Sequence, residues 1–388
     1  MKIAFFQPYM ANWRIQFLEY FINKSKHEII VYDGGFSSKK DDKSVTGNNA
    51  DFNFHKFISL SFVFEFRGQP YPVYFSPFLF FRLIIDRPDV IVTEGEINFI
   101  NNFSIWLYCI LFDKKYVWWS LGKVITRKKN VINKLLDPFV NFLLFRSSCV
   151  MARNSQAKKY YLDKGIPDER IIVAPNSMDD ERALREVESD LLSSLIKKKG
   201  SRKVILYVGA LVSTKRPADL IDMLEQHVNK LERDYELWYV GAGPIENDLK
   251  RRVVERGLDN RVRFFGKVFD GVGSYFSVAD VVVVPGLGGL VINHAMIFGT
   301  PVVSRPADGT EKDLIIDGIT GYIVNDYDNS ALAMAVDTLL CSENSAEMRQ
   351  QVLSHVQKNW NIKIMYDRAM ECIMDANATP IIKNIHKK

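Results

Sequence analysis

Short apolar runs alternate with amphipathic stretches along the whole chain, and this alternation limits the fold more than any other feature. Apolar runs bounded by turn residues read as strands buried on both faces, and stretches long enough for crossover helices make the sheet parallel. The first half predicts strands over 3–6, 29–32, 90–93, 116–119 and 149–151, with helices over 13–23, 99–112, 131–145 and 155–163. A polar stretch at 190–203 follows, and the pattern restarts with strands over 204–208, 236–240, 262–265, 281–284 and 301–304. Helices are expected there over 217–230, 245–256 and 290–298. The expectation is an α/β protein of two doubly wound domains, 1–185 and 204–350, joined by a linker at 186–203. Helices in 351–388 are expected to return to the first domain. In open sheets of this kind ligands lie outside the carboxyl ends of the strands, so two such domains facing each other would hold the chemistry in a cleft.

Of the 388 residues, 47% are hydrophobic and 25% charged, which excludes a disordered chain or a small disulfide scaffold. The net charge of +5 is unevenly spread: residues 1–185 carry 26 Lys and Arg against 19 Asp and Glu, the remainder 25 against 27. A basic half suits an anionic ligand or surface, or is simply solvated. Cys109, Cys149, Cys341 and Cys372 are widely spaced, which points to free thiols in a reducing compartment. The first residues are too weakly apolar for a signal peptide, and the apolar runs at 71–81 and 103–112 fall short of the ~20 residues that span a bilayer. A cytoplasmic protein is expected. Lys114, Lys115, Lys123, Arg127, Lys128, Lys129 and Lys134 accompany the aromatic runs at 75–81 and 103–112, a combination suited to peripheral contact with the inner face of the membrane and equally to a core with a solvated edge. No recognition helix or RNA-binding motif accompanies the charge, so nucleic acid is not an expected partner.

Three glycine turns carry the chemistry. The strand at 204–208 runs into Gly209, then Lys215 and Arg216 just before Pro217, which suits the first turn of a helix. Cations beside exposed helix amides suit a phosphate, although both side chains could be ordinary surface groups. The strand at 236–240 runs into Gly241, Ala242 and Gly243; Glu246 occupies the place of the third glycine of a dinucleotide fingerprint, and Gln7-Pro8-Tyr9 follows the first strand, where that fingerprint belongs. The strand at 281–284 runs into Gly286, Gly288 and Gly289 and a helix beginning at Leu290, whose loop amides and N-terminus suit a pyrophosphate. Asn293 and His294, one turn into that helix, are placed to reach a sugar hydroxyl, against the plain reading of a structural histidine.

In this order the elements resemble the GT-B glycosyltransferases of family 4, a retaining, nucleotide-sugar-dependent group. The resemblance covers nearly the whole chain and is strongest over 204–324, including Ala279-Asp280, the run from Phe298 to Val303, Gly309-Thr310-Glu311, and the run from Asp317 to Val324. It implies two Rossmann-like domains, with Lys215 on the donor diphosphate, Gly288 and Gly289 offering amides to it, Lys267 and Val268 beside the nucleobase, and Glu311 holding the sugar-nucleotide loop. Two positions depart from the pattern: Ala210 replaces the usual arginine, and Gly286 and His294 replace the two glutamates spaced eight apart.

The donor set is therefore Gly209, Lys215, Gly241, Gly243, Lys267, Val268, Gly286, Gly288, Gly289, Leu290, Asn293, His294 and Glu311, with Lys215, Arg216 and His294 as catalytic candidates. No covalent nucleophile stands out, and Asp326-Tyr327-Asp328 lies in a polar turn, so neither metal nor cofactor is expected and the donor is a substrate. Leaving-group charge would be met by cations and amides. On the acceptor side, the loop after the first strand contributes Tyr9, Asn12 and Arg14, and Glu94 and Glu96 follow a strand with carboxylates for hydroxyls or for base catalysis. The expected activity is transfer of a sugar, with retention, to a glycan or lipid-linked glycan during surface polysaccharide assembly. Two alternatives are an inactive GT-B scaffold, motivated by Ala210 and Gly286, and an NAD-dependent oxidoreductase, which Gln7-Pro8-Tyr9 disfavours.

Overall fold

A computed structural model describes residues 1–8, 10, 12–34, 54–56, 60–66, 69–122, 131–229, 234–325 and 327–378. Tyr9, the segment 36–50, Lys123, Arg127, Lys128, Lys129 and Asp326 lie outside the described residues, as do the side chains of Asn12 and Lys134. The chain forms two compact units, the first built from 1–175 and the segment from 362 onward, the second from 176–361.

The first unit holds strands β1 (Lys2–Gln7), β2 (Glu28–Asp33), β3 (Phe54–Lys56), β4 (Leu60–Phe66), β5 (Gln69–Phe75), β6 (Val90–Glu94), β7 (Lys115–Ser120), β8 (Cys149–Ala152) and β9 (Ile171–Val173). Its helices are α1 (Asn12–Lys24), α2 (Leu79–Asp86), α3 (Phe99–Leu111), α4 (Val131–Arg146) and α5 (Ser155–Asp163). Seven strands make one parallel sheet in the order β3-β2-β1-β6-β7-β8-β9, and β4 and β5 form a separate antiparallel hairpin. Sequence reading missed that hairpin, because Pro70, Pro72 and Gly68 interrupt its aromatic alternation.

The second unit contains β10 (Lys203–Val208), β11 (Tyr235–Val240), β12 (Val262–Phe264), β13 (Val281–Val284), β14 (Val302–Ser304) and β15 (Gly321–Ile323), parallel in the order β12-β11-β10-β13-β14-β15. Around them lie α6 (Asp180–Arg185), α7 (Ser189–Lys199), α8 (Asp219–Asn229), α9 (Glu246–Glu255), α10 (Val272–Val278), α11 (Leu290–Ile297), α12 (Thr310–Leu314), α13 (Asn329–Leu340) and α14 (Ser345–Asn359). The final helix, α15 (Ile362–Ala378), returns to the first unit, where Met365, Ala369, Cys372 and Ile373 complete the core beneath β7 and β8.

The expected boundaries move. Residues 186–203 are not a linker: α7 buries Leu195 and α6 buries Ala183 in the second unit's core, and Val352 and Val356 of α14 lie in that same core. The polar composition that suggested a linker belongs to the end of α7. Lys197, Lys198 and Lys199 complement the carboxyl end of its dipole, Gly200 caps it at φ +57°, and Lys199 reaches Asp280 at 2.6 Å.

Each sheet is apolar on both faces, as parallel sheets require. In the first unit Ile3, Phe5, Val92, Trp119 and Met151 pack under α1 and α15, while Ala4, Phe6, Ile91, Trp118 and Val150 pack under α2 to α5. Strand β13 shows the same economy, with four consecutive valines at most 4% exposed. The aromatic helices divide their residues. Leu79, Leu83, Ile105 and Tyr108 are core, whereas Phe78, Phe81, Ile85, Phe103, Leu111 and Phe112 are 40–69% exposed. No helix among the described residues is long and apolar enough to cross a membrane.

Candidate functional site

Strand order reverses once in each sheet, between β1 and β6 in the first unit and between β10 and β13 in the second. Crevices at such reversals are where doubly wound folds take ligands.

At the second reversal two glycine-bearing loops meet. The loop after β10 places the Lys215 ammonium beside Gly209, where an added Cβ would stand 3.3 Å from Nζ. The loop after β13 crosses the same turn: a Cβ at Gly286 would stand 2.9 Å from the carbonyl carbon and oxygen of Lys215. The position where the resemblance expects a glutamate therefore has no room for any side chain unless the Lys215 turn moves. Gly289, at φ +57°, is the N-cap of α11, and Leu290 opens that helix. A Cβ at Gly289 would lie 3.6 Å from Asp308 Oδ2. Burial pushes the Lys215 ammonium below the usual lysine range, and the Asp308 carboxylate opposes that shift. Asp308 was missed in the sequence, where a lone carboxylate in a polar turn carries no signal. Glu311 is fully buried; its carboxylate accepts from the amides of Ala307 (3.1 Å) and Gly309 (3.0 Å), which fixes the loop bearing Asp308.

Other expected donor residues have structural work instead. The amide of Gly209 donates to the Val240 carbonyl and that of Gly241 to the Gly266 carbonyl, so neither amide is open to a phosphate. Cβ atoms at Gly241 and Gly243 would fall 1.9 and 2.2 Å from the Gly209 and Leu211 carbonyl oxygens, so those glycines serve close loop packing. Asn293, fully buried, accepts from the Met178 amide and donates to the Trp360 carbonyl, both at 2.8 Å, leaving its amide committed. Arg216 pairs with Asp219 at 2.7 Å and lies over the Tyr327 ring, turned to the start of α8. Buried Arg305 also binds Asp219. His294 packs between Phe276 and Phe298, with ring centroids 4.7 and 5.8 Å away. Burial lowers its pKa to about 4, and burial raises that of Glu186, 4.0 Å from Nε2, so the two meet as a neutral pair more readily than as ions. His294 thus lacks the charge and the hydrogen bonding that a catalytic role needs. Lys267 extends over Phe269, and Val268 is partly buried against the core. Gly288 abuts Val284. Asp328 caps α13 by accepting from the Ser330 amide.

At the first reversal, side chains from four neighbouring strands converge on the α1 face: Gln7 from the end of β1, Glu94 from β6, Trp119 from β7 and Arg153 just past β8. Arg14 of α1 joins them. Its guanidinium lies 3.8 Å over the Trp119 ring, and both Arg153 (2.5 Å) and Arg14 (3.5 Å) donate to Glu94 Oε1. Burial would raise the pKa of Glu94, but Arg153 and then Arg14 outweigh it and hold the carboxylate ionised. A buried network fixes the backbone that follows: Asn102 donates to the carbonyls of Glu94 and Gly95 and accepts from Thr93. Glu96, expected beside Glu94, instead accepts from Ser120 (2.5 Å) and Tyr161 (2.6 Å). Arg153, Trp119 and Gln7 were missed, although the strand-end rule applied to the run ending at Ala152 would have found Arg153.

The segment 202–342 matches the family described as glycosyl transferases group 1. Among curated proteins, the alpha-D-kanosaminyltransferase of Streptomyces kanamyceticus is 30% identical over 155 residues, 39% of each chain. The phosphatidyl-myo-inositol mannosyltransferase of Mycobacterium leprae is 32% identical over 143 residues, 36% of this chain and 37% of that one. The chain thus spans about two fifths of the length of these relatives. The crystal structure of Anabaena HepE in complex with UDP superimposes with a TM-score of 0.73 at 18% identity, covering 96% of this chain and 100% of that one. The two doubly wound sheets and these likenesses together identify the chain as a GT-B glycosyltransferase-fold protein whose second unit carries a glycosyl transferases group 1 domain.

Proposed function

We propose that this protein is a glycosyltransferase that takes a sugar from a nucleoside-diphosphate sugar, bound at the β10/β13 reversal of the second unit, and delivers it to a glycan or lipid-linked acceptor. The observation that carries this reading is the Lys215 ammonium held beside Gly209 under a loop of three glycines that ends at the N-terminus of α11. The diphosphate would lie against Lys215 and the amides of Gly288 and Gly289, where developing leaving-group charge meets a fixed cation and helix dipole in a partly buried site. Charge stabilisation of this kind suits a metal-independent reaction, and the family resemblance implies retention at the transferred carbon. The complex of HepE with UDP and the kanosaminyl- and mannosyltransferase likenesses support the donor class. The Mycobacterium leprae relative, by its name, acts on a phosphatidyl-linked acceptor, which supports a lipid-linked acceptor here and a place in surface polysaccharide assembly. The exposed Phe78, Phe81, Phe103 and Phe112 would then meet the inner membrane surface.

A thermal-shift screen against UDP-, GDP- and ADP-sugars tests the donor site, since a ligand at a hundred times its Kd stabilises by about 2.7 kcal/mol. Stabilisation by one base class, lost in Lys215→Ala, is expected; no shift with any of them removes the assignment. Turnover in EDTA and the anomeric configuration of the product test metal independence and retention. Co-sedimentation with anionic vesicles, lost in Phe81→Ser, tests the membrane contact. Nucleotide binding without transfer to any acceptor would favour the scaffold reading instead.

A further inference from the structure

The first unit's strand reversal is built to take a negative charge. Among the described residues, two guanidiniums and one carboxylate meet at the carboxyl ends of adjacent parallel strands. Arg14 is 2% and Arg153 6% exposed, and both stack on Trp119, which fixes the planes of their donor edges. Between them and the reversal point lies Gln7, fully buried, whose side-chain Oε1 and Nε2 both lack a hydrogen-bond partner among the described residues. An amide left unsatisfied in the interior costs stability, and burying an excess of guanidinium costs more, so neither serves packing. Both are what a ligand site needs before its ligand arrives. Glu94, 14% exposed along its side chain, is the open edge of the cluster.

We propose that Arg14, Arg153, Trp119 and Gln7 form a binding site for an oxyanion, a carboxylate or phosphate, carried by the acceptor. The proposal depends on the glycosyl-transfer reading only for naming the ligand an acceptor. Paired guanidiniums match planar or tetrahedral oxyanions through parallel N–H bonds, and the Gln7 amide supplies a further donor and an acceptor for a neighbouring hydroxyl. Glu94 holds the two arginines in place while the site is empty and competes with the incoming anion for the same N–H groups. The acceptor is therefore acidic: a phosphorylated sugar or lipid headgroup, or a uronic acid.

The test uses the full-length protein with UDP saturating, so that the Lys215 turn is occupied, and titrates glucose 6-phosphate, glucuronate and glucose by calorimetry. At least one acid is expected to bind tenfold or more tightly than glucose, and which one binds distinguishes a phosphate from a carboxylate acceptor. Arg14→Gln and Arg153→Gln should each weaken that acid at least tenfold while leaving UDP affinity unchanged, Arg153→Lys should restore part of the loss, and Glu94→Gln should tighten binding. Glucose binding as well as the acids, acid affinity unmoved by both arginine variants, or no acid binding to the UDP-loaded protein would each overturn the proposal; retained UDP binding would leave the donor reading standing. Should the arginine variants fail to unfold cooperatively, Glu94→Gln decides alone: tighter acid binding supports the site, and unchanged or weaker binding overturns it.

Discussion

The two strand reversals of this molecule solve the same problem with different materials. In the second unit the crevice is made of backbone: glycine turns that let loops approach closely, one lysine and a helix N-terminus. In the first unit it is made of side chains, with Arg14, Glu94, Trp119 and Arg153 drawn from elements spread over 140 residues of sequence. A backbone site can serve any ligand that carries a diphosphate, because amides and a single cation read charge and little else. A side-chain site can be changed one residue at a time, and it suits the ligand that must differ between relatives. The matched family segment ends at residue 342 and begins at 202, so it contains the backbone site and none of the side-chain one.

The sharpest way to break this comparison is Lys215→Ala. If the second site stabilises charge as argued, kcat/KM for transfer falls about 10²–10³-fold, roughly 3–4 kcal/mol, as for loss of one oxyanion-stabilising donor, while acid binding at the first site is unaffected. An unchanged rate in steady-state kinetics would move the donor elsewhere.

Next in size is a pH effect at His294. The unfolded chain binds its proton near pH 6.5, the folded chain only near pH 4, so unfolding takes up a proton between these values and stability falls as pH drops through that window. By linkage the loss reaches about 3 kcal/mol at pH 4. Urea unfolding of wild type and His294→Leu across pH 4–7 should show the slope flattened in the variant, and a variant with the wild-type slope would return His294 to a charged role.

Asn293→Ala comes third, with an expected loss of about 2 kcal/mol as the Met178 amide and Trp360 carbonyl lose their buried partner. UDP affinity should persist, and a selective loss of UDP binding without loss of stability would make Asn293 a ligand contact after all. The smallest effect is expected at Asp308→Asn. Removing the carboxylate that opposes the depression of the Lys215 pKa moves the alkaline fall of UDP binding to lower pH. A pH titration of UDP affinity that shifts upward, or not at all, would show that Asp308 does not face Lys215 in solution.

Much of the donor unit was legible because its signals are local. Glycine after a strand, lysine before a helix, and a helix opening at Leu290 can each be read within a dozen residues. The same locality misled at Gly241 and Gly243, where glycine answers a clash with the loop at 209–211 that no local pattern reports. It misled again at Asn293 and His294, whose spacing faces a ligand on paper while the tertiary neighbours Met178, Trp360, Phe276 and Phe298 take up both side chains. In the first unit Arg14 and Glu94 were found by the strand-end rule, but their pairing with Arg153 and stacking on Trp119 were not.

By itself the sequence determined the two parallel sheets and the glycine turns at their reversals, because strand burial and turn chemistry act between near neighbours. Only the tertiary structure decided where the units divide, that α15 crosses back to the first core, and which polar groups meet a ligand rather than each other. Those outcomes depend on contacts between residues far apart in the chain, such as Arg14 with Glu94 and Asn293 with Trp360, and no periodicity encodes such a contact.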